Sequence, residues 1–260
     1  MKKLIALICM IMLVLTVASG CGSDNAALKE IRDKGTLRVG VKTDVPGFGY
    51  YNPDSKGYEG LEIDLARLIA DDILGDENAV EFFGVTAQTR GPMLDNGEID
   101  MVIATFTITE ERKEIYNFSQ AYYHDEIGFL VRADSDLKTI ADIDGKTVGI
   151  AQSGTAKDAL VAESEKRGMT LKYIEHASYP ELKAALTSGE IDAFSVDRSI
   201  LIGYADSNTR ILDEGFNPQD YGIATKLENS QLAEHLDGFL DSIMKNGKFD
   251  EILAKWEKSQ

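Results

Sequence analysis

Two arginines stand where a cation is electrostatically out of place. Arg112 falls in the first turn of a helix expected from Glu110, and Arg90 opens another near Pro92–Asn96. A helix N-terminus carries partial positive charge and unpaired N–H groups, so it favours anions and repels cations. Arg112 also follows Thr105, Thr107 and Thr109, and hydroxyls beside a guanidinium suit a bound carboxylate. Lys42 comes directly after the apolar run Leu37–Val41. Ser153-Gly154-Thr155 joins another apolar run to a helix and leaves backbone N–H groups free for an oxyanion. Each position has an ordinary reading as well. Arg112 can pair with Glu110, Lys42 and Arg90 can be surface charges, and the Ser-Gly-Thr turn can be a helix cap.

Short apolar strands alternating with helical stretches position these residues. Strands are expected at Leu37–Val41, Val80–Val85, Met101–Ala104, Gly128–Val131, Thr147–Ala151, Thr170–Ile174, Ala193–Val196 and Gly222–Thr225. Helical patterns cover Leu61–Leu74, Pro92–Asn96, Glu110–Tyr116, Ala156–Arg167, Pro180–Ser188 and Ser199–Ala205. A last helical region runs from Gln231 to Lys258 with a break at Asn246-Gly247. The alternation indicates an α/β protein with mostly parallel sheets.

One segment echoes another. Gly97-Glu98-Ile99-Asp100 precedes one strand and Gly189-Glu190-Ile191-Asp192 precedes a second, 92 residues on, which sets Thr105 opposite Asp197. Both then lie past the carboxyl end of an equivalent strand, the edge where open α/β sheets bind ligands. An acid facing Arg112 across a cleft suits an α-amino acid, its carboxylate on the arginine and its ammonium on the aspartate. The plainer role for Asp197 is to cap the helix at Ser199.

The first twenty residues stand apart. Lys2 and Lys3, an apolar run from Leu4 to Val17, and Ala18-Ser19-Gly20 before Cys21 read as a secretory signal. The run is shorter than the ~20 apolar residues that a span requires. The small residues before Cys21 resemble a bacterial lipobox, which implies that Cys21 is lipidated. Cys9 lies inside the signal, so no intramolecular disulfide is expected, and the remaining ~240 residues can bury a core without one. The formal charge is −17. Such acidity argues against nucleic acid as a partner, because phosphate binding needs a basic stripe. It also means that any anion must be caught by local groups.

Several separated motifs carry a family resemblance. They are Gly60-Leu-Glu-Ile-Asp-Leu, Thr105 through Arg112, Phe118-Ser119 with Tyr122-Tyr123, Asp144 through Gly149, Ser153-Gly-Thr155 and Lys255-Trp256. In this order they resemble the polar amino-acid-binding proteins of bacterial ABC importers, solute-binding family 3. The resemblance implies a two-lobed Venus-flytrap periplasmic-binding-protein fold of type II with two crossover hinge strands. It implies a signal peptide at 1–20, a lipidated tether and first helix at 21–35, and a first lobe at 36–121 and 224–260. Hinges fall at 122–127 and 218–223, with a second lobe at 128–217. By similarity, Arg112, Thr107 and the Thr155 backbone hold the ligand α-carboxylate, while Thr105 and Asp197 hold the α-ammonium; Tyr221 is a further contact.

Val41-Lys-Thr-Asp-Val-Pro46, Thr89 through Gly97 and Gln219-Asp-Tyr-Gly222 look closest to aspartate/glutamate-binding members, some of which are also described as adhesins. Glutamine-binding relatives usually carry an acid where Lys42 stands. Lys42 and Arg90 would then be two cations left over for an acidic side chain, and an unpaired buried charge costs roughly 3–5 kcal/mol, more than a hundredfold in affinity. The expectation is therefore a monomeric extracytoplasmic receptor, anchored to the membrane through Cys21. It would deliver L-aspartate or L-glutamate to an ABC permease by hinge closure, with no cofactor and no metal.

Glutamine or another polar amino acid is the alternative ligand; an adhesin lipoprotein and a dehydratase-like enzyme on the same fold are alternative classes. Catalysis would need a positioned acid or base. His124, His176 and His235 have no metal-binding spacing, and no Ser-His-Asp order, phosphate loop or paired thiol is present. Glu62 and Asp64 are expected to face solvent or to cap their helix.

Overall fold

The computed structural model describes residues 26–257. The expected signal, Cys21 and the start of the tether lie outside the described residues. The chain runs through α1 (Ala26–Lys34), β1 (Leu37–Val41) and a small meander of β2 (Asp44–Val45), β3 (Gly49–Asn52) and β4 (Gly57–Glu59). It continues with α2 (Leu61–Leu74), β5 (Val80–Gly84), α3 (Arg90–Asp95), β6 (Met101–Ile103), α4 (Glu110–Lys113) and β7 (Tyr116–Phe118). The long strand β8 (Tyr123–Arg132) leads to β9 (Thr147–Ala151), α5 (Ala156–Arg167), β10 (Lys172–His176), α6 (Tyr179–Ser188), β11 (Ala193–Asp197), α7 (Arg198–Tyr204) and β12 (Thr209–Ile211). The chain returns on β13 (Phe216–Tyr221) and β14 (Ala224–Lys226), and ends with α8 (Ser230–Lys245) and α9 (Lys248–Glu257).

Two sheets result. One has the order β5-β1-β6-β14-β7; the other has β10-β9-β11-β8-β12, with β13 on β8. Each is mixed rather than mostly parallel. Strands β1, β5 and β6 are parallel, as are β9, β10 and β11, while β14 and β8 run against them. The reason is topological: segments that leave or re-enter a lobe arrive from its far end. The expected crossovers at 122–127 and 218–223 fall on β8 and β13, which pair antiparallel with Tyr221 opposite Tyr123.

Strands covered on both faces read as apolar runs, and β1 is such a strand, with only Arg38 not fully buried. Helix α2 buries eight of its fourteen residues, and the acidic Glu62 is among them. Gly60 sets that turn in place. Its φ is 132°, and a Cβ there would lie 1.9 Å from the Phe48 carbonyl oxygen. The Glu62 N–H donates to that same carbonyl at 3.0 Å.

Candidate functional site

The echo between the two half-units is geometric as well as sequential. Gly97 and Gly189 are both left-handed, with φ of 73° and 81°. Their N–H groups donate to Leu94 and Leu186, and the next residues, Glu98 and Glu190, donate to Met93 and Ala185. The helix stops are thus the same at both places. Asp100 then accepts the Arg38 N–H and Asp192 the Thr147 N–H, each from the neighbouring strand. Equivalent register carries Thr105 and Asp197 to equivalent strand ends.

Thr105 has φ of 43°, an uncommon conformation for a β-branched residue. Partners on both sides hold it. Its N–H donates to Glu62 Oε1 at 2.5 Å, and its carbonyl accepts from Arg90 Nη1 at 3.2 Å. Arg90 also donates to the Ala104 carbonyl at 2.7 Å, and its guanidinium lies 3.9 Å from the Phe106 ring centroid. Arg90 is therefore buried and not a surface charge.

Arg112 shares the Phe106 ring, at 4.7 Å. Its Nη1 donates to the Thr107 carbonyl at 2.7 Å and its Nη2 reaches the Ser153 carbonyl at 3.4 Å, in the opposite lobe. Glu110 pairs with Lys113 instead. Burial, then the like charge of Arg90, pushes the Arg112 pKa down to about 9, against the opposing pull of Asp197.

Two sequence expectations need correction. Glu62 neither faces solvent nor caps α2; it is wholly buried, accepting from Thr105 N–H and from the Tyr122 hydroxyl at 2.6 Å. Burial raises its pKa to about 7. Asp64 is tied to the C-terminal helix through Lys255 Nζ and Trp256 Nε1. Lys42 is not a left-over cation either. Its Nζ is 3.0 Å from Asp44 Oδ1 and 4.5 Å from the Tyr179 ring centroid. Burial lowers its pKa, and Asp44 opposes that shift.

On the second lobe, Ser153 has φ of 59° and Thr155 precedes α5 without capping it. Asp197 does not cap α7 with its side chain, because Asp125 Oδ2 takes the Ser199 N–H at 3.1 Å. Asp197 instead accepts the Tyr221 hydroxyl. Burial raises the Asp197 pKa to about 7, against the pull of that hydroxyl. Tyr221 is fully buried and stacks on Tyr123.

The lobes meet around a narrow cavity of about 20 Å³. Arg90, Thr105, Thr107, Thr155, Tyr179 and Asp197 line it. Arg112 stands at its mouth beside Thr107 and Thr155. Lys42 and Tyr221 back the cavity rather than line it. A second bridge between the lobes joins the Tyr204 hydroxyl to the Asp44 carbonyl. The arrangement sets a guanidinium and free backbone N–H groups against a carboxylate, as an α-amino acid requires.

Residues 37–259 match the bacterial extracellular solute-binding proteins, family 3. The chain belongs to that family. It is 38% identical to the ABC transporter glutamine-binding protein GlnH of Bacillus subtilis, over 99% of this chain and 98% of the relative. It is 29% identical to the glutamate-binding protein GluB of Corynebacterium glutamicum, over 93% of this chain and 85% of the relative. Among solved structures, a mutant of ArgBP from T. maritima superimposes with a TM-score of 0.80 at 29% identity, covering 89% of this chain and 99% of that one. The two-lobed periplasmic-binding-protein fold follows, and with it an extracytoplasmic place of action.

Sequence reasoning missed four residues of this family 3 site. Glu62 was signalled by an acid set between the apolar Leu61 and Ile63. Asp44, two residues past Lys42, depends on the β2 turn folding back. Tyr179 and Gln219 carry no local signal, since their roles come from the opposite lobe and from α5. Glu62→Leu should lower the stability of the unliganded protein by about 2–4 kcal/mol, because the Thr105 N–H and Tyr122 hydroxyl lose their acceptor. Chemical denaturation checks this.

Proposed function

We propose that this protein is the receptor of an amino-acid ABC importer and that its ligand is L-glutamine, captured by closure of the two lobes. The observation that carries the ligand assignment is the balance of buried charge. Three cations, Lys42, Arg90 and Arg112, face three carboxylates, Asp44, Glu62 and Asp197. Asp125 is engaged by the α7 N-terminus. Asp44 matches Lys42, and Arg90 lies in the fields of both Asp197 and Glu62, so Arg112 and Asp197 are the pair of opposite charges offered to the ligand at the cavity. A zwitterion with an uncharged side chain satisfies both. Aspartate or glutamate would add a buried negative charge without a counter-ion, costing several kcal/mol. The name of the Bacillus relative supports this choice, while that of the Corynebacterium relative keeps glutamate as the second reading.

In this reading Arg112, Thr107 and the Thr155 N–H hold the carboxylate, and Asp197 with Thr105 holds the ammonium. The side chain extends toward Arg90 and Tyr179. The relatives named as binding proteins support a receptor that binds its ligand without transforming it. A lipid on Cys21 would tether the receptor to the membrane beside its permease.

Thermal melting against a panel of amino acids tests the assignment. Glutamine at a hundred times its Kd should add about 2.7 kcal/mol and shift the midpoint more than glutamate or aspartate. A panel in which no amino acid moves the midpoint would count against the receptor itself. Affinity should also depend on pH. The ammonium needs Asp197 ionised, and its pKa of about 7 means that it takes up a proton as pH falls. Glutamine affinity should therefore drop about tenfold from pH 8 to pH 6, as titrations at the two values would show.

A further inference from the structure

Gln219 has no assigned role, yet it is 1% exposed on the return strand β13. It shares a strand face with Tyr221, two residues on, since alternate residues point the same way. Tyr221 reaches Asp197, and Gln219 reaches Thr155: its Oε1 accepts the Thr155 hydroxyl at 2.7 Å. The amide cannot be reversed. Its Nε2 donates to the carbonyls of Asn217 and Pro218 at 3.0 and 3.1 Å, which only an N–H can do. The oxygen must therefore face Thr155.

Thr155 occupies the position before α5 where a threonine ordinarily turns its hydroxyl onto the first N–H groups of the helix. Here it makes no such bond, and its backbone is helical (φ −84°, ψ −16°) rather than the extended form that capping uses. Ser153 before it is left-handed. The successive N–H groups thus form a concave row at the cavity, the arrangement that binds anions.

We propose that Gln219 is a positioning residue, which draws the Thr155 hydroxyl away from α5 so that the helix N-terminus stays open for the ligand carboxylate at the Thr155 N–H. This rests on the carboxylate lying at Thr155, as in the function proposed above. Without Gln219 the hydroxyl is free to cap the helix at the Lys157 or Asp158 N–H, which puts its oxygen where the carboxylate must lie against the Thr155 N–H.

The test is glutamine titration of the full chain and two variants. Gln219→Met should weaken binding five- to tenfold, the usual strength of one cap. Adding Thr155→Val, which removes the competing hydroxyl, should regain most of that loss. A merely structural role for Gln219 predicts the opposite, a double variant as weak as the single one or weaker, and that result overturns the proposal. So does a Gln219→Met protein that binds like the parent. Gln219→Asn, whose carbonyl is one methylene short of Thr155, should behave as Gln219→Met does and replaces it if the methionine variant does not fold. A second readout needs no ligand. In the unliganded protein Gln219→Met should slow hydrogen exchange at the Lys157 or Asp158 amide about fivefold. Unchanged exchange there overturns the role of Gln219. Slowed exchange with unaltered affinity instead overturns the placement of the carboxylate.

Discussion

Arg112→Ala should abolish measurable binding of every α-amino acid, whatever its side chain. Arg112 makes no direct ion pair across the cavity, and its pKa is driven down by burial and by Arg90 against the pull of Asp197. Its remaining hydrogen bonds go to the carbonyls of Thr107 and Ser153, one in each lobe. Removing it deletes the carboxylate partner and a link that closes the cleft. Truncating one member of a buried charged pair costs about 2–5 kcal/mol, or roughly thirtyfold to several thousandfold. Arg112→Lys should recover little, because a point charge cannot reproduce the planar fork. Calorimetry with glutamine, glutamate and asparagine checks all three together; a loss confined to one of them would contradict the role.

Asp44→Asn should reverse the preference between the amide and the acid. In the parent, Asp44 stands 3.0 Å from Lys42 and opposes the effect of burial on it. With a neutral partner, Lys42 is either charged without a counter-ion or stripped of its proton. A ligand carboxylate relieves both conditions. The ratio of glutamate to glutamine affinity should rise by about thirtyfold, roughly 2 kcal/mol. The same substitution barely touches the α-carboxylate and α-ammonium contacts, so glutamine should still bind. Paired titrations of parent and variant give the ratio directly.

The two predictions differ in how far the sequence alone reaches. Arg112 is legible because its position near a helix start is locally anomalous in sequence, although the helix is a single turn, Glu110–Lys113, shorter than the expected Glu110–Tyr116. The strands Leu37–Val41 and Thr147–Ala151 and the helices Leu61–Leu74 and Ala156–Arg167 are legible too, being long and strongly patterned. The mixed sheets were not. Strand β13 contains Pro218 and alternates polar residues, so it reads as a loop until β8 is seen beside it. The meander β2-β3-β4 is built of strands of two to four residues, too short for any periodicity.

The expectation of an acidic ligand rested on a related reading. Counting cations along the chain finds Lys42 and Arg90, but their partners lie elsewhere. Asp44 is brought back by the β2 turn, and Glu62 is buried because Gly60 lets α2 approach Phe48 closely. Likewise Asp197 looks like a cap in sequence, and is released from that task only because Asp125, on another strand, takes the Ser199 N–H. Pairing of charge is a tertiary property.

The most direct measurement is therefore a calorimetric comparison of glutamine and glutamate on the unaltered protein at pH 8, where Asp197 is ionised. Charge balance in the cleft predicts one-to-one binding of glutamine at least a hundredfold tighter than glutamate. Tighter binding of glutamate would contradict it.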